Sequence, residues 1–342
     1  MRPVDPATFE LVVGSMVVGG ACIARDAQGR VVFVSGAMPG ERVVVAVRQA
    51  KKDFATADVV AVVEASRDRV EPPCEAWHRG CGGCDWQHIR AEAQLPLKVE
   101  MVREALTRTG RIAQANVIGG GSVPAWGYRT TVRVAAAPDR RPGFRARRSH
   151  AVVGITSCPV ADDAINALLP RVRITSGEER TVRVGLSSQM TSLDPDGHVV
   201  ERVCGRDLRV STGSFFQSSP AAATLLVEAV QRALDGADLA GATVLDAYGG
   251  VGLFAATVGR GAARVIVVES SASACADARV NLATQPASVV QMAMEEWPPE
   301  HCDIVVADPA RAGLGRSGTA VVAATEAERI ILISCDAGSL GR

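Results

Sequence analysis

"TVLDAYGGVGLFAATVG", residues 243–259, decides how this chain of 342 residues is read. A short apolar run carries Asp246, turns through Gly249, Gly250 and Gly252, and passes straight into an apolar helical segment. Glycines let a backbone turn tightly and approach a ligand, and the start of a helix offers unpaired N–H groups. A second strand, "RVIVVES" (264–270), ends on Glu269. An acid there can accept hydrogen bonds from both hydroxyls of a ribose. An ordinary glycine turn is the plainer alternative, but the strand, helix and acid around it favour a nucleotide-type cofactor. The pattern alone does not separate NAD from S-adenosylmethionine.

The neighbouring segments repeat the alternation. "SPAAATLLVEAVQRAL" (219–234) and "SACADARVNLA" (273–283) read as helices, "CDIVVADP" (302–309) and "RIILISC" (329–335) as strands. Strands joined by helices predict an α/β, doubly wound, mostly parallel, Rossmann-like sheet from about residue 206 onward. Two more features fall on its ligand-binding edge. Asp308-Pro309-Ala310-Arg311-Ala312-Gly313 sets a carboxylate in a rigid turn after a buried strand. A loop Asp capping the next turn is the plainer reading of it. Cys335 follows the last apolar run, where a thiol could act as a nucleophile; taken alone, such a cysteine reads more readily as inert core.

The first half is different. "VVFVSG" (31–36), "ERVVVAV" (41–47) and "TADVVAVVE" (56–64) are short Val-rich strands separated by turn residues, which suggests a small OB-like barrel. After Pro72-Pro73 comes "CEAWHRGCGGCDWQH" (74–88), irregular and dense in cysteine, then a helix with Leu95, Val99, Val102 and Leu106 on one face. The thiols of Cys74, Cys81, Cys84 and the remote Cys158 suit a tetrahedral zinc site or an iron–sulfur cluster. Three close ligands and one distant one favour a 4Fe–4S cluster, with His78 and His88 as alternative ligands. Arg129, Arg133, Arg140, Arg141, Arg145, Arg147 and Arg148 lie among Trp126, Tyr128 and Phe144. That mixture suits single-stranded RNA, with a solvated charged hairpin as the bland alternative.

Composition sets the outer limits. Apolar residues make up 47% and charged residues 22%, as in folded soluble proteins, and the net charge is zero. No global field therefore announces a polyanion, although a local basic strip is enough to hold one. The opening "MRPVDPATFE" has no signal-peptide pattern and no stretch reaches membrane-spanning length. A reducing cytoplasm is expected, where nine cysteines are ligands, catalytic thiols or core rather than disulfides.

Taken in order, "CGGCDWQH", "FRARRSH", "FFQ" (215–217), "LDAYGGVG", "ADPARAG" and "ISCDAGSL" resemble one family. It is the S-adenosylmethionine-dependent RNA uracil-5-methyltransferases that carry an N-terminal TRAM barrel and an iron–sulfur cluster, acting on rRNA or tRNA. The resemblance implies three domains: a TRAM barrel at 1–66, a central β-rich iron–sulfur domain with the basic hairpin at 67–205, and a methyltransferase domain at 206–342. It implies that Cys74, Cys81, Cys84 and Cys158 hold a 4Fe–4S cluster. Gln217, Tyr248, Gly250, Gly252, Glu269 and Asp308 would line the cofactor pocket, and Cys335 would be the nucleophile. RNA is the implied partner, with no membrane and a monomeric chain.

The sequence departs from that family at several points. Ala310 stands for a second proline in the Asp308 turn, and Ala337 with Gly338 for the proline after Ser-Cys-Asp, which is expected to loosen the loop around the thiol. Ala293 stands where an acid is expected, and Ser218 and Ser219 follow Gln217 in place of an asparagine. The family also continues tens of residues past the nucleophile with a Glu that acts as base. This sequence ends at Arg342 and offers no residue for that role. A non-catalytic RNA-binding homologue is therefore the second reading. An NAD oxidoreductase with a zinc loop is the third, and it lacks a hydride-transfer constellation.

Overall fold

The computed structural model describes residues 8–186, 191–192 and 196–342. The chain folds into two compact units, Met1–Gly119 with Asp336–Arg342, and Gly120–Cys335.

The first unit is built on five strands: β1 (Thr8–Val12), β2 (Cys22–Arg25), β3 (Val31–Ser35), β4 (Arg42–Ala50) and β5 (Phe54–Glu64). Their order is β1-β4-β5-β3-β2, antiparallel except for the parallel β3–β5 pair. Strand period does the sorting. Val32, Val34, Val43, Val45, Ala55 and Ala57 point inward and are buried. Glu41 is the buried exception. Its carboxylate accepts from Met38 N, Ser66 N and both Arg69 Nε and Nη2 at 2.6–3.0 Å. Burial alone would push its pKa up, but the Arg69 guanidinium and the two amides hold it below the usual range.

Helix α1 (Glu75–His78) sits in the cysteine-rich loop, and α2 (Ala91–Arg108) follows. The face of α2 that meets the barrel core carries Ala93, Leu97 and Met101. It is therefore not the Leu95–Val99 stripe expected from sequence; a Cβ on Gly119 would touch Leu95 and Val99 at 3.5 Å, so that stripe is covered by the segment after the helix. The helix is apolar on two faces because it is covered from two sides.

The second unit holds two kinds of sheet. The first is antiparallel: β6 (Thr131–Ala136), β7 (Pro142–Arg145), β8 (Val152–Gly154), β9 (Glu179–Val184) and β10 (Thr191–Ser192), in the order β10-β9-β6-β7-β8, with α3 (Asp163–Leu168) between β8 and β9. A hairpin, β11 (His198–Val203) and β12 (Arg206–Ser211), turns through Cys204 and Gly205 at positive φ. The domain boundary read from sequence falls in this turn.

Helix α4 (Pro220–Ala233) leads into the parallel sheet of β13 (Thr243–Ala247), β14 (Arg264–Glu269), β15 (Ala287–Gln291), β16 (Ile304–Ala307) and β17 (Arg329–Leu332), ordered β15-β14-β13-β16-β17. Helices α5 (Leu253–Thr257), α6 (Ala272–Asn281) and α7 (Gly315–Ala323) connect them. Both faces are covered, which is why the strands read as unbroken apolar runs. Val244, Val265, Val267 and Val306 pack with Leu253, Phe254, Val227 and the β11–β12 valines on one face. Leu245, Ile266, Val268 and Val305 pack with Met294, Trp297 and Val322 on the other. The order reverses at β13, so the crevice for a ligand lies at the C-terminal ends of β13 and β16. β15 was not among the strands read from sequence: its residues are only half-buried and its apolar run is short. A last turn, α8 (Ala337–Leu340), belongs to the first unit and packs there on α2, where a Cβ at Gly341 would lie 2.9 Å from Ala105 O. Among the described residues no helix is long and apolar enough to cross a membrane.

Candidate active site

The parallel sheet delivers its chemistry to one edge. Tyr248 follows β13, Glu269 ends β14, Asp308 follows β16, and Cys335 lies three residues beyond β17. The glycine turn between β13 and α5 is forced by packing. A Cβ on Gly249 would lie 2.6 Å from Val267 Cγ1 and 3.0 Å from Asp246 Cγ, and Gly252 caps α5 at φ +84°.

The acids at this turn have separate duties. Asp246 is buried, and its Oδ2 accepts from Ala255 N at 2.8 Å, tying the strand to α5. Burial pushes its carboxyl up to about 8 against that hydrogen bond, with the charges of Asp308 and Glu269 adding to the rise. Asp246 therefore holds the turn rather than the ligand. Glu269 accepts from Gly250 N at 3.0 Å and Ser271 N at 2.7 Å, which fixes its carboxylate over the turn. These bonds use N–H groups that the sequence reading had left for a ligand; α5, five residues long, contributes little on its own. Asp308 is half-buried and its pKa is raised by that burial; no hydrogen bond to its carboxyl is found among the described residues. Partly desolvated and without a donor, it suits an incoming N–H or O–H group.

Gln217 is half-buried in a loop held at both ends. Arg183 Nη2 donates to Ser214 O at 2.9 Å, and Thr130 N donates to Ser218 O at 2.9 Å. Asp277, fully buried on α6, accepts from Ser214 Oγ (2.7 Å), Ser211 N and Oγ (2.8 Å each) and Arg209 Nε (3.0 Å). Asn281, one turn later, accepts from Arg209 N and donates to Arg209 O and Val251 O. This clamp binds the loop to the helix that follows Glu269, and sequence reasoning missed it. The partners lie 63–72 residues apart, so no local pattern announces them. Ser219, in the region where an asparagine was expected, caps α4 through a bond from Ala222 N to its Oγ.

Cys335 is exposed. The loop after it is not loosened by Ala337 and Gly338. Asp336 Oδ1 accepts from Ser339 N at 2.7 Å and Ser339 Oγ donates to Asp336 O, so the segment forms the capped turn α8. A side-chain cap supplies the order that a proline would have supplied through its ring.

The four other candidate cysteines are free thiols. Cys74 caps α1, Cys81 N donates to Ala76 O, and Gly83 N points at Cys81 Sγ at 3.5 Å. Trp86 fixes the end of this loop on the barrel: a Cβ at Gly20 would lie 2.6 Å from its Nε1. Cys158 is held by Asn166, which accepts from Cys158 N and donates to Cys158 O. His78 Nε2 is occupied by Pro72 O at 2.8 Å and His88 is buried, so neither stands out as a ligand. Thiolates with a backbone N–H aimed at sulfur suit a cluster chemically. Among the described residues, however, no three His, Cys, Asp or Glu side chains gather into a metal-holding group.

The basic hairpin is partly neutralised. Arg133 and Arg145 share Glu179 at 2.7 and 2.8 Å, and Arg141 pairs with Asp139 at 2.6 Å. Arg129 stacks on Tyr128, 5.8 Å from the ring centre. Such exposed pairs are weak, so phosphates can compete for the guanidinium groups.

Known proteins resemble this arrangement. The TRAM domain family matches residues 15–60, the greater part of the barrel. An uncharacterized RNA methyltransferase of Streptomyces avermitilis is 34% identical across 98% of this chain and 90% of its own length. The 23S rRNA (uracil(1939)-C(5))-methyltransferase RlmD of Halomonas elongata is 43% identical over a shorter match, 48% of this chain and 34% of that protein. The crystal structure of the Pyrococcus abyssi tRNA (uracil-54, C5)-methyltransferase in complex with S-adenosyl-L-homocysteine superposes with a TM-score of 0.73 at 20% identity, over 98% of this chain and 92% of that one.

Proposed function

The chain belongs to the RNA methyltransferases, and from that premise we propose that it transfers a methyl group from S-adenosylmethionine to carbon 5 of a uracil in rRNA or tRNA. The observation that carries the reading is the single sheet edge shared by Glu269, Asp308 and the exposed Cys335. The names of the relatives from Halomonas elongata and Pyrococcus abyssi support the uracil assignment.

Gln217, Tyr248, Gly250, Gly252, Glu269 and Asp308 form the proposed cofactor pocket. Glu269 takes the ribose hydroxyls, with its carboxylate already aimed by Gly250 N and Ser271 N. The exposed thiol then explains how an unreactive carbon becomes a nucleophile. The Cys335 thiolate adds to uracil C6, the ring electrons move towards C5 and the carbonyl, and C5 takes the sulfonium methyl as S-adenosylhomocysteine leaves. A base removes the C5 proton, the double bond re-forms and the thiolate departs. The uracil must be unstacked to reach the thiol. The TRAM barrel and the hairpin of β7 and β8 grip the RNA strand through charge and stacking.

We assign a 4Fe–4S cluster to Cys74, Cys81, Cys84 and Cys158 on donor chemistry alone. Bound there, it would brace the fold; no step of the methyl transfer is routed through it.

Trapping tests the nucleophile. RNA carrying 5-fluorouridine is expected to form a covalent complex with the chain in the presence of S-adenosylmethionine, because fluorine cannot leave as a proton does. Cys335→Ala is expected to abolish that complex and leave cofactor binding intact. A complex that survives the substitution would remove Cys335 from the role.

A further inference from the structure

Tyr248 is one of six non-glycine residues at positive φ, at +58°, and it is the one that stands directly between β13 and the glycine turn. Backbone strain of this kind is retained where the side chain it aims has work to do. The Tyr248 hydroxyl donates to Glu295 Oε1 at 2.7 Å. Glu295 lies in the turn Met294–Glu296 that follows the edge strand β15. Room for the pair is kept by α7, where a Cβ on the buried Gly318 would lie 2.7 Å from the Tyr248 hydroxyl and 3.7 Å from Glu295 Oε1. Burial, then the bond to Glu295, push the tyrosine pKa up, so its proton stays directed at that carboxylate. One carboxylate oxygen is thus used for positioning, and Oε2 has no partner among the described residues.

The strand order tells what faces that oxygen. β14, which ends on Glu269, lies between β13 and β15, and the Glu295 turn sits at the same C-terminal edge. A ribose held by Glu269 directs its base towards the loops beyond it. A carboxylate only accepts hydrogen bonds. It favours a base with an exocyclic amino group and opposes one with a carbonyl at that position, where two acceptors would meet.

Resting on the cofactor reading given above, we propose that Glu295 is a specificity-determining residue of the cofactor pocket, accepting the exocyclic amino group of the adenine while Tyr248 holds its carboxylate in place. Glu295 is exposed and its substitution leaves the core untouched. The test is calorimetric titration of the full chain with S-adenosylhomocysteine and with its 6-oxo analogue, S-inosylhomocysteine. The wild type is expected to prefer the adenosine ligand by about ten- to a hundredfold, the range for a hydrogen bond to a charged group. Glu295→Ala is expected to bring the two ligands within about threefold by weakening the adenosine ligand, with Glu295→Gln intermediate, since its amide can serve either base. Undiminished preference in Glu295→Ala would overturn the assignment and leave the cofactor reading standing. A wild type that binds neither ligand would overturn both.

Discussion

At the level of single residues, Gly249 is the most constrained position of the site. A methyl group there meets Val267 and Asp246 inside van der Waals distance, and neither neighbour can retreat, because both belong to buried strands. Gly249→Ala is expected to cost about 1–3 kcal/mol in denaturant unfolding and to weaken S-adenosylhomocysteine binding in the same preparation. Its neighbour Asp246 shows where residue-level reading went astray. Sequence placed it with the ligand groups, while its burial and its bond to Ala255 N make it the peg of the turn. Asp and Glu look alike in a motif; exposure separates the peg from the grip, and exposure is decided by strands far away in the chain.

At the level of elements, the clamp on the Gln217 loop has the clearest consequences. Asp277→Ala leaves Arg209, Ser211 and Ser214 without their shared acceptor, and is expected to destabilise the second unit by about 3 kcal/mol in chemical denaturation. The loss should also raise KM for S-adenosylmethionine more than it lowers kcat, because the loop positions Gln217 and touches no reacting atom. Behind the clamp, burial pushes the Glu201 carboxyl up to about 7, with Arg183 and the Thr130 hydroxyl pulling against the rise. A carboxyl raised in the fold binds its proton more tightly there than in the unfolded chain. Its stabilising share is therefore complete below about pH 4.5 and lost as pH climbs towards 7. Glu201→Gln is expected to flatten the fall in melting temperature between pH 5 and 7, with Asp246, raised to about 8, leaving a residual slope of the same sign. An unchanged slope would place the titration elsewhere. The elements themselves were largely legible: alternation marked β3 and β4, and apolar runs marked β13, β14 and β16. What escaped was the edge strand β15, the barrel-facing stripe of α2 and the Asp277–Asn281 clamp, each set by which neighbour covers a face.

On the scale of the whole molecule, the sequence announced an N-terminal barrel and a C-terminal parallel sheet, and both are present. The return of Asp336–Arg342 to the first unit had no local signal, because α8 earns its place through Ala105 of α2, far back in the chain. The cysteine set gives a composition test at this scale. Protein prepared without oxygen is expected to carry about four irons per chain and broad absorption near 400 nm. Zinc in place of iron would contradict the cluster assignment without touching the methyl-transfer reading. Charge gives another. With a net charge of zero and several arginines already paired, RNA affinity is expected to fall with salt by a slope matching only a few phosphates.

The most direct measurement follows the methyl group itself. An unmodified rRNA or tRNA transcript is incubated with the chain and methyl-labelled S-adenosylmethionine, digested to nucleosides and resolved by mass spectrometry. Label in 5-methyluridine with the wild type, and none with Cys335→Ala, is the predicted result. Label in any other nucleoside, or equal labelling by Cys335→Ala, would contradict the account.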